Sequence, residues 1–594
     1  MVSFSDLLGR LPWWVAALLG ALAVWLGLAL IARPFDSLAV LVAIIAASFV
    51  ITGISELAGA HGRRHPRLAL LAGVIWIVAG LGIAAWPGLT IGGVAIFAGA
   101  TMLVGGLVRL VTGLRGSRDE RPISVLSGLA SAIFGGLALG WPDVTVVVVA
   151  LLVGPRMLLF GIGQIVAAFA RRSGSAEAPS AGNPDGARPS RRWRLLRAGA
   201  AFSAALLLVA LSTWLRAEAP EVDSFYDPPE MSASEPGTLL RAEPFTRALP
   251  PGARGWRILY STLRDDDAPG VASAIIVAPN EPPDGPRPVI AWAHGTTGVE
   301  RPCAPSLLND PFMAGGLPGL EQVIASGWIL VATDYIGLGT SGPHPYLIGE
   351  GQARSVLDSL RAARQLDGLD MAEEAVVWGH SQGGHAALWT GILAPEYAPE
   401  LDIAGIAAVA PAADLPGLAE HFRESPVTRI LMAYIARAYS RYYPEIRFDD
   451  YIRPTAREIV RGLAGRCLAE PAALLSIVVT LPLERPILST SPLEGELGRR
   501  LAENVPTGPI VAPLLIAQGQ DDTLVLADAQ AGYVEARCAA GQRLEYRAYE
   551  GQDHISIVAD DSPLIPGLLA WTEERFDGVE QLPGCRTVTI GGAG

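Results

Sequence analysis

Six apolar runs crowd the first 172 residues of the chain, at about 11–32, 37–59, 68–86, 89–112, 123–141 and 144–170. Each is close to the roughly 20 residues that an α-helix needs to cross the hydrocarbon core of a bilayer. Six membrane-spanning helices are therefore expected. The first run leads straight into further runs, without a small-residue cleavage site and a soluble segment behind it, which argues against a cleaved signal peptide. The runs read as three copies of one two-helix hairpin. Arg33-Pro34, Trp86-Pro87 and Trp141-Pro142 mark the tight turns. Nineteen residues beyond each proline stand Gly53, Gly106 and Gly161, and twenty-two beyond stand Glu56, Arg109 and Gln164. A proline, a glycine and a polar position at shared offsets indicate an internal triplication.

The repeated polar positions have two readings: a polar cluster or pathway inside the bundle, or side chains near the cytoplasmic helix ends that reach the headgroups. Arg156 lies fourteen residues beyond Pro142, where the other copies carry Ser48 and Thr101. At that depth it is expected to face the bundle interior and to pair with Glu56. Arginines gather in alternate loops: Arg63, Arg64 and Arg67 after the second run, Arg115, Arg118 and Arg121 after the fourth, Arg171 and Arg172 after the sixth, against Arg33 alone in the intervening turns. Both ends of the unit are thus expected in the cytoplasm. In its Trp-Pro turns and Gly-rich helices, residues 1–172 resemble the six-helix acid-resistance membrane proteins of the HdeD type. The resemblance implies a membrane protein with a link to stress response and brings no catalytic residues.

Residues 173–197 read as a flexible cytoplasmic linker, rich in Ser, Ala, Gly and Pro, that ends in Arg188, Arg191, Arg192, Arg194 and Arg197. A seventh apolar run follows at 198–215. Basic residues before a span keep that side in the cytoplasm and send the following chain outward, so residues 216–594 are expected outside. The alternative is a buried helix of the soluble domain, which would leave that domain cytoplasmic. Residues 1–197 hold 17 Arg and 8 acidic residues although the whole chain has a net charge of −13, so the remainder is strongly acidic. Nothing basic there suggests a nucleic-acid partner. All four cysteines, Cys303, Cys467, Cys538 and Cys585, lie in this acidic part. Their even number fits disulfides in an oxidising compartment, with three connectivities open and four free thiols as the alternative. Their spacing matches no zinc pattern.

From about residue 255 onward β-type runs alternate with helical ones. Strands are expected at Arg257–Leu263, Ala272–Ala278, Val289–His294, Ile329–Asp334, Ala375–Gly379, Ile403–Ala410, Pro513–Gly519 and Glu545–Glu550, with crossover helices at Arg354–Leu366 and Ala386–Leu393. This is the pattern of an α/β sheet covered on both faces, whose site lies beyond the carboxyl ends of the strands. At one such end the chain reads Gly379-His-Ser381-Gln-Gly383, a Gly-x-Ser-x-Gly turn between a strand and a helix that exposes the serine as a nucleophile. Asp522 follows the strand ending at Gly519, with Asp521 as fallback, and His554 follows the last strand. The chain order nucleophile, acid, histidine is that of the α/β-hydrolases. Two backbone N–H groups are needed for the oxyanion; Gln382, after the nucleophile, and Thr296, in the loop His294-Gly-Thr-Thr-Gly298, are the candidates, with the Thr296 hydroxyl as a further donor.

The domain resembles the bacterial and fungal secretory lipases over about residues 225–575. The carrying residues are His294-Gly-Thr-Thr-Gly298, Asp334-Tyr-Ile-Gly-Leu-Gly339 with Gly342-Pro-His-Pro-Tyr346, Ala353-Arg-Ser-Val-Leu-Asp358, the Ser381 elbow, Asp522 and His554. The resemblance implies hydrolysis of carboxylic esters, acylglycerols among them, without metal or organic cofactor. His344 and Tyr346 are read as loop packing, and His380 and His385 as structural residues pointing away from the nucleophile. Residues 412–508 form a helical insertion, either a cap over an acyl pocket or plain support for the sheet. The whole reads as a six-span bundle, a seventh span and an α/β-hydrolase domain: a membrane-tethered extracytoplasmic serine esterase or lipase acting on a lipid or small-molecule ester. The alternatives are a serine peptidase on the same fold and a non-catalytic membrane stress sensor.

Overall fold

The computed structural model describes residues 12–32, 87–115, 118, 120–172, 190–217, 219–228, 235–281, 285–424, 428–480 and 486–591, with isolated positions between 50 and 85. The chain divides into two compact units. One holds residues 1–217 with 452–462 and 477–487; the other holds 218–451, 463–476 and 488–594.

The first unit contains α1 (Trp13–Ala32), α2 (Pro87–Leu114), α3 (Arg121–Gly140), α4 (Pro142–Arg172) and α5 (Arg191–Ala217). Helix α1 packs on α4, α2 on α3, and α3 on α5. The repeated glycines sit where backbones meet: a Cβ on Gly106 would lie 2.4 Å from the Ala132 nitrogen, and one on Gly161 2.5 Å from the Gly20 oxygen. Between apolar helices such small residues permit the close approach that stabilises packing. The apolar runs at 11–32, 89–112, 123–141, 144–170 and 198–215 fall on these five helices. Among the described residues, α3 and the stretch Arg191–Arg216 are long and apolar enough to cross a membrane. Gln164 is buried on α4 and Arg109 is exposed on α2, so the described polar positions do not share one environment. The runs at 37–59 and 68–86, Gly53, Glu56 and the pairing of Arg156 with Glu56 lie outside the described residues.

The second unit is built on one ten-stranded sheet. Its strands are β1 (Leu239–Phe245), β2 (Ala253–Leu263), β3 (Pro269–Pro279), β4 (Arg287–Ala293), β5 (Ile329–Thr333), β6 (Met371–His380), β7 (Asp402–Val409), β8 (Leu514–Gly519), β9 (Leu544–Tyr549) and β10 (Cys585–Ile590). Their spatial order is β1-β2-β3-β5-β4-β6-β7-β8-β9-β10. Along this order pairing is antiparallel from β1 to β5 and parallel from β5 through β4 to β10. The central strands are apolar on both faces because helices cover both: α6 (Gly349–Ala363) and α7 (Gln382–Tyr397) bury one side, and Leu564–Phe576 buries the other. Every expected strand is present. The two edge strands, β1 and β10, were not anticipated: β10 is largely exposed and lacks the apolar run that marks the central strands.

The cysteines pair as Cys303–Cys467 and Cys538–Cys585. The second bridge holds β10 against the helix Ala527–Ala539; the first joins the loop after β4 to the insertion. That insertion, between β7 and β8, carries helices Leu415–Glu424, Arg429–Tyr442, Arg457–Ala464, Ala473–Thr480 and Gly495–Glu503. Parallel pairing of β4 through β9 aligns their carboxyl ends, and the loops beyond β4, β6, β8 and β9 carry the candidate site.

Candidate active site

Ser381 sits between β6 and α7 with φ 58° and ψ −115°, a backbone conformation that a non-glycine residue keeps only when its surroundings impose it. Its N–H donates to the Val409 carbonyl at 2.9 Å, and its own carbonyl accepts from the N–H groups of His385 and Ala412, both at 3.1 Å. The flanking glycines are steric necessities. A Cβ on Gly379 would lie 2.0 Å from the Gly383 oxygen, and one on Gly383 would lie 1.8 Å from the Ala293 oxygen. The turn can be this tight only because both lack side chains.

Ser381, His554 and Asp522 come together from three loops. His554 Nδ1 lies 2.7 Å from Asp522 Oδ2, and Nε2 lies 2.9 Å from Ser381 Oγ. A carboxylate can only accept, so Nδ1 carries the hydrogen, and Nε2 offers its lone pair to the serine hydroxyl. Asp522 is itself held: Oδ1 accepts from the N–H groups of Leu524 and Val525, and Oδ2 from Gln518 Nε2. Burial opposes its ionisation, but the hydrogen bond and charge of His554 and the two backbone donors outweigh that and keep the carboxyl below its usual range. Asp521, the fallback acid, is exposed.

The N–H groups of Gln382 and Thr296 are free of partners among the described residues, as oxyanion donors must be before substrate arrives. The Thr296 hydroxyl meets the Tyr346 hydroxyl at 3.0 Å, and with Tyr346 as the donor its own hydrogen stays available to an oxyanion. A cavity of about 200 Å³ opens at Ser381, bounded by Gly295, Thr296, Gln382 and His554 and by apolar side chains including Met313, Phe422, Leu431, Leu468, Leu524 and Ile555. Phe422, Leu431 and Leu468 belong to the insertion, which therefore walls the cavity.

His385 faces away from the serine, with Nε2 donating to the Asn504 carbonyl at 2.7 Å. His380 does not. Its ring packs 4.7 Å from that of His554, and its Nε2 donates to the His554 carbonyl at 2.9 Å. Elbow geometry suggested that a residue next to the nucleophile points elsewhere; the chain order could not show that the His554 loop folds down onto it. Gln518, inside β8, was also missed, since nothing in an apolar strand signals that one amide will reach the acid beyond it.

His294, His344, His380 and His385 are all buried, and burial lowers them to about 4, 3, 3 and 4 respectively. In the unfolded chain each takes up a proton near pH 6.5. Between that value and the folded ones only the unfolded state is protonated, so stability present above pH 6.5 is lost as pH falls. At pH 5 the loss is about 2 kcal/mol for each histidine. Asp334 and Asp358, raised by burial, offset part of it. The melting temperature of the hydrolase domain is expected to fall by roughly 10 °C between pH 7 and pH 5; a flat profile would contradict buried, neutral histidines.

The sheet order and the strand-turn-helix elbow define an α/β-hydrolase fold, with Ser381, His554 and Asp522 as the candidate triad. Residues 319–584 match the secretory lipase family, and residues 18–81, 71–139 and 126–179 match a short repeat of unknown function, the family that includes HdeD-like membrane proteins. A probable inactive lipase of Mycobacterium tuberculosis is 27% identical over 384 residues, covering 60% of this chain and 83% of its own length. Lipase 6 of Candida albicans is 24% identical over 411 residues, covering 62% of this chain and 84% of its own. The X-ray structure of Candida antarctica lipase A in its closed state matches with a TM-score of 0.51 at 18% identity, over 62% of this chain and 89% of that one, a likeness of fold. The C-terminal part thus carries a secretory-lipase domain, and the activity it supports is carboxylic ester hydrolysis.

Proposed function

We propose that the chain is a membrane-tethered serine hydrolase that cleaves acyl esters, acylglycerols among them, outside the cytoplasm through an acyl-enzyme. The observation that carries this reading is the unbroken hydrogen-bond chain Ser381–His554–Asp522 opening onto a largely apolar cavity. Ser381 Oγ attacks the ester carbonyl while His554 Nε2 takes its proton; Asp522 holds the tautomer and balances the imidazolium. The tetrahedral oxyanion is received by the N–H groups of Gln382 and Thr296, each donor of this kind being worth about 3–4 kcal/mol. His554 then protonates the leaving alcohol. Water, activated by the same imidazole, attacks the acyl carbon and releases the carboxylic acid and the free serine. The apolar side chains around the serine suit an acyl chain.

The placement outside the cytoplasm is supported by the basic cluster at the N-terminal end of α5 and by two disulfides, which persist in oxidising compartments. The secretory relatives agree with it. The tether is supported by the six-run repeat and by α5, which leads into the domain. Full-length protein in detergent should hydrolyse p-nitrophenyl esters, with preference for butyrate or longer acyl chains over acetate, and should leave peptide p-nitroanilides intact. Cleavage of the anilides alone would replace the esterase reading with the peptidase one. Protection of residues 216–594 from protease added outside the cytoplasmic membrane would overturn the placement.

A further inference from the structure

Both oxyanion candidates are gripped by one tripeptide that serves neither as nucleophile, base nor acid. His344 Nδ1 faces the Ile336 carbonyl at 3.2 Å, which requires a hydrogen on Nδ1 and leaves Nε2 as an acceptor. That lone pair meets Gln382 Nε2 at 3.2 Å. Two residues on, the Tyr346 hydroxyl meets Thr296 Oγ1 at 3.0 Å. The side chains of the two residues whose N–H groups face the developing charge are therefore tied to His344 and Tyr346, and both of those are buried. Burial holds His344 down to about 3, so its acceptor persists at any working pH.

The loop bearing the tripeptide is itself constrained. Tyr335 and Leu347, at its two ends, adopt φ of 61° and 54°, left-handed values that cost energy in non-glycine residues and recur at functional sites. Gly337 has φ 85°, and a Cβ there would lie 2.6 Å from the His344 nitrogen, so the loop doubles back on itself at this point. From behind, Tyr434 of the insertion packs edge-on against Tyr346, at 6.0 Å and 81°, and its hydroxyl donates to the Arg466 carbonyl next to Cys467. Leu468, just past the Cys303–Cys467 bridge, donates its N–H to the Thr297 carbonyl at 2.8 Å. The oxyanion loop is thus held from the tripeptide on one side and from the disulfide strap on the other.

We propose that His344 and Tyr346 are positioning residues that clamp the two oxyanion donors, His344 through Gln382 and Tyr346 through Thr296. This rests on the ester-hydrolase reading above. Preorganised donors act because they need no reorientation as charge develops, so loosening them weakens transition-state binding and leaves ground-state binding alone.

The test uses the full-length protein in detergent and three variants. Tyr346→Phe removes one hydroxyl and keeps the ring against Tyr434. His344→Asn keeps the group that meets Ile336 and loses the one that meets Gln382. His344→Gln keeps an acceptor for Gln382. Tyr346→Phe and His344→Asn are expected to lower kcat on p-nitrophenyl butyrate about 10-fold with KM within about 2-fold, a fraction of the 10²–10³ lost with a whole donor, while His344→Gln retains most of the activity. An alkyl boronic acid, which forms a tetrahedral adduct on the serine, should lose affinity in the same two variants by the same factor, per site counted with a phosphonate titrant. Unchanged kcat, or a loss of active sites with unchanged boronate affinity, would overturn the clamp. A wild-type protein that binds boronate more tightly than both variants yet cleaves no ester would fault the hydrolase reading and leave the clamp standing.

Discussion

Replacing Ser381 with Ala is expected to lower kcat/KM for ester hydrolysis by about 10⁶-fold, close to the loss seen when a serine protease loses its nucleophile. The fold should survive. The hydroxyl makes one hydrogen bond, to His554 Nε2 at 2.9 Å, while the strained backbone is held by Val409, His385 and Ala412, none of which needs the side chain. His554→Ala should cost nearly as much, and the double variant little more than either, because the groups act as a unit and their losses do not add. Asp522→Asn should cost about 10⁴-fold, since an amide donor facing Nδ1 stabilises the wrong tautomer. Steady-state rates on p-nitrophenyl butyrate beside near-ultraviolet circular dichroism check all four. Equal rates for wild type and Ser381→Ala would remove the serine from the mechanism.

Gly383→Ala is expected to abolish activity by a different route, loss of the elbow itself. The new methyl would stand 1.8 Å from the Ala293 carbonyl oxygen and 2.7 Å from that of His294. Both are backbone atoms at the end of β4, so no side chain can swing aside. Relief requires α7 and β4 to part, which displaces the Gln382 N–H and the oxyanion loop together. Overpacking a tight interior costs roughly 1–3 kcal/mol where side chains can adjust, so more than about 3 kcal/mol is expected here. Thermal melting separates the two cases. Ser381→Ala should melt with wild type, and Gly383→Ala should melt well below it or fail to accumulate; a wild-type melting temperature for Gly383→Ala would mean that the close approach is not real.

The candidate triad was legible because each member stands at the end of a recognisable run. The elbow announces itself by two glycines around a serine, and Asp522 and His554 follow the two apolar strands after it. The central strands were legible for the same reason: burial on both faces writes an uninterrupted apolar run. The edges were not. β10 pairs with β9 from Cys585↔Leu544 to Ile590↔Tyr549, and with most of its residues exposed its pairing and its disulfide place it, not its composition. Likewise three disulfide pairings were open until the loop after β4 and the insertion were seen to meet.

What the chain determined by itself was local and periodic: the apolar runs, the triplicated turns, the elbow, and the order serine, acid, histidine. These depend on residues within one turn, one strand or one repeat, so the sequence states them directly. What only the tertiary structure decided were the contacts between segments far apart in the chain. His380 lies under His554, 174 residues away, and the His344–Tyr346 loop reaches Gln382 and Thr296, 38 and 50 residues away. No spacing rule carries such meetings, because they arise where the parallel sheet brings the carboxyl ends of separate strands side by side. The candidate triad was written in the sequence; the supports that hold it together came from packing.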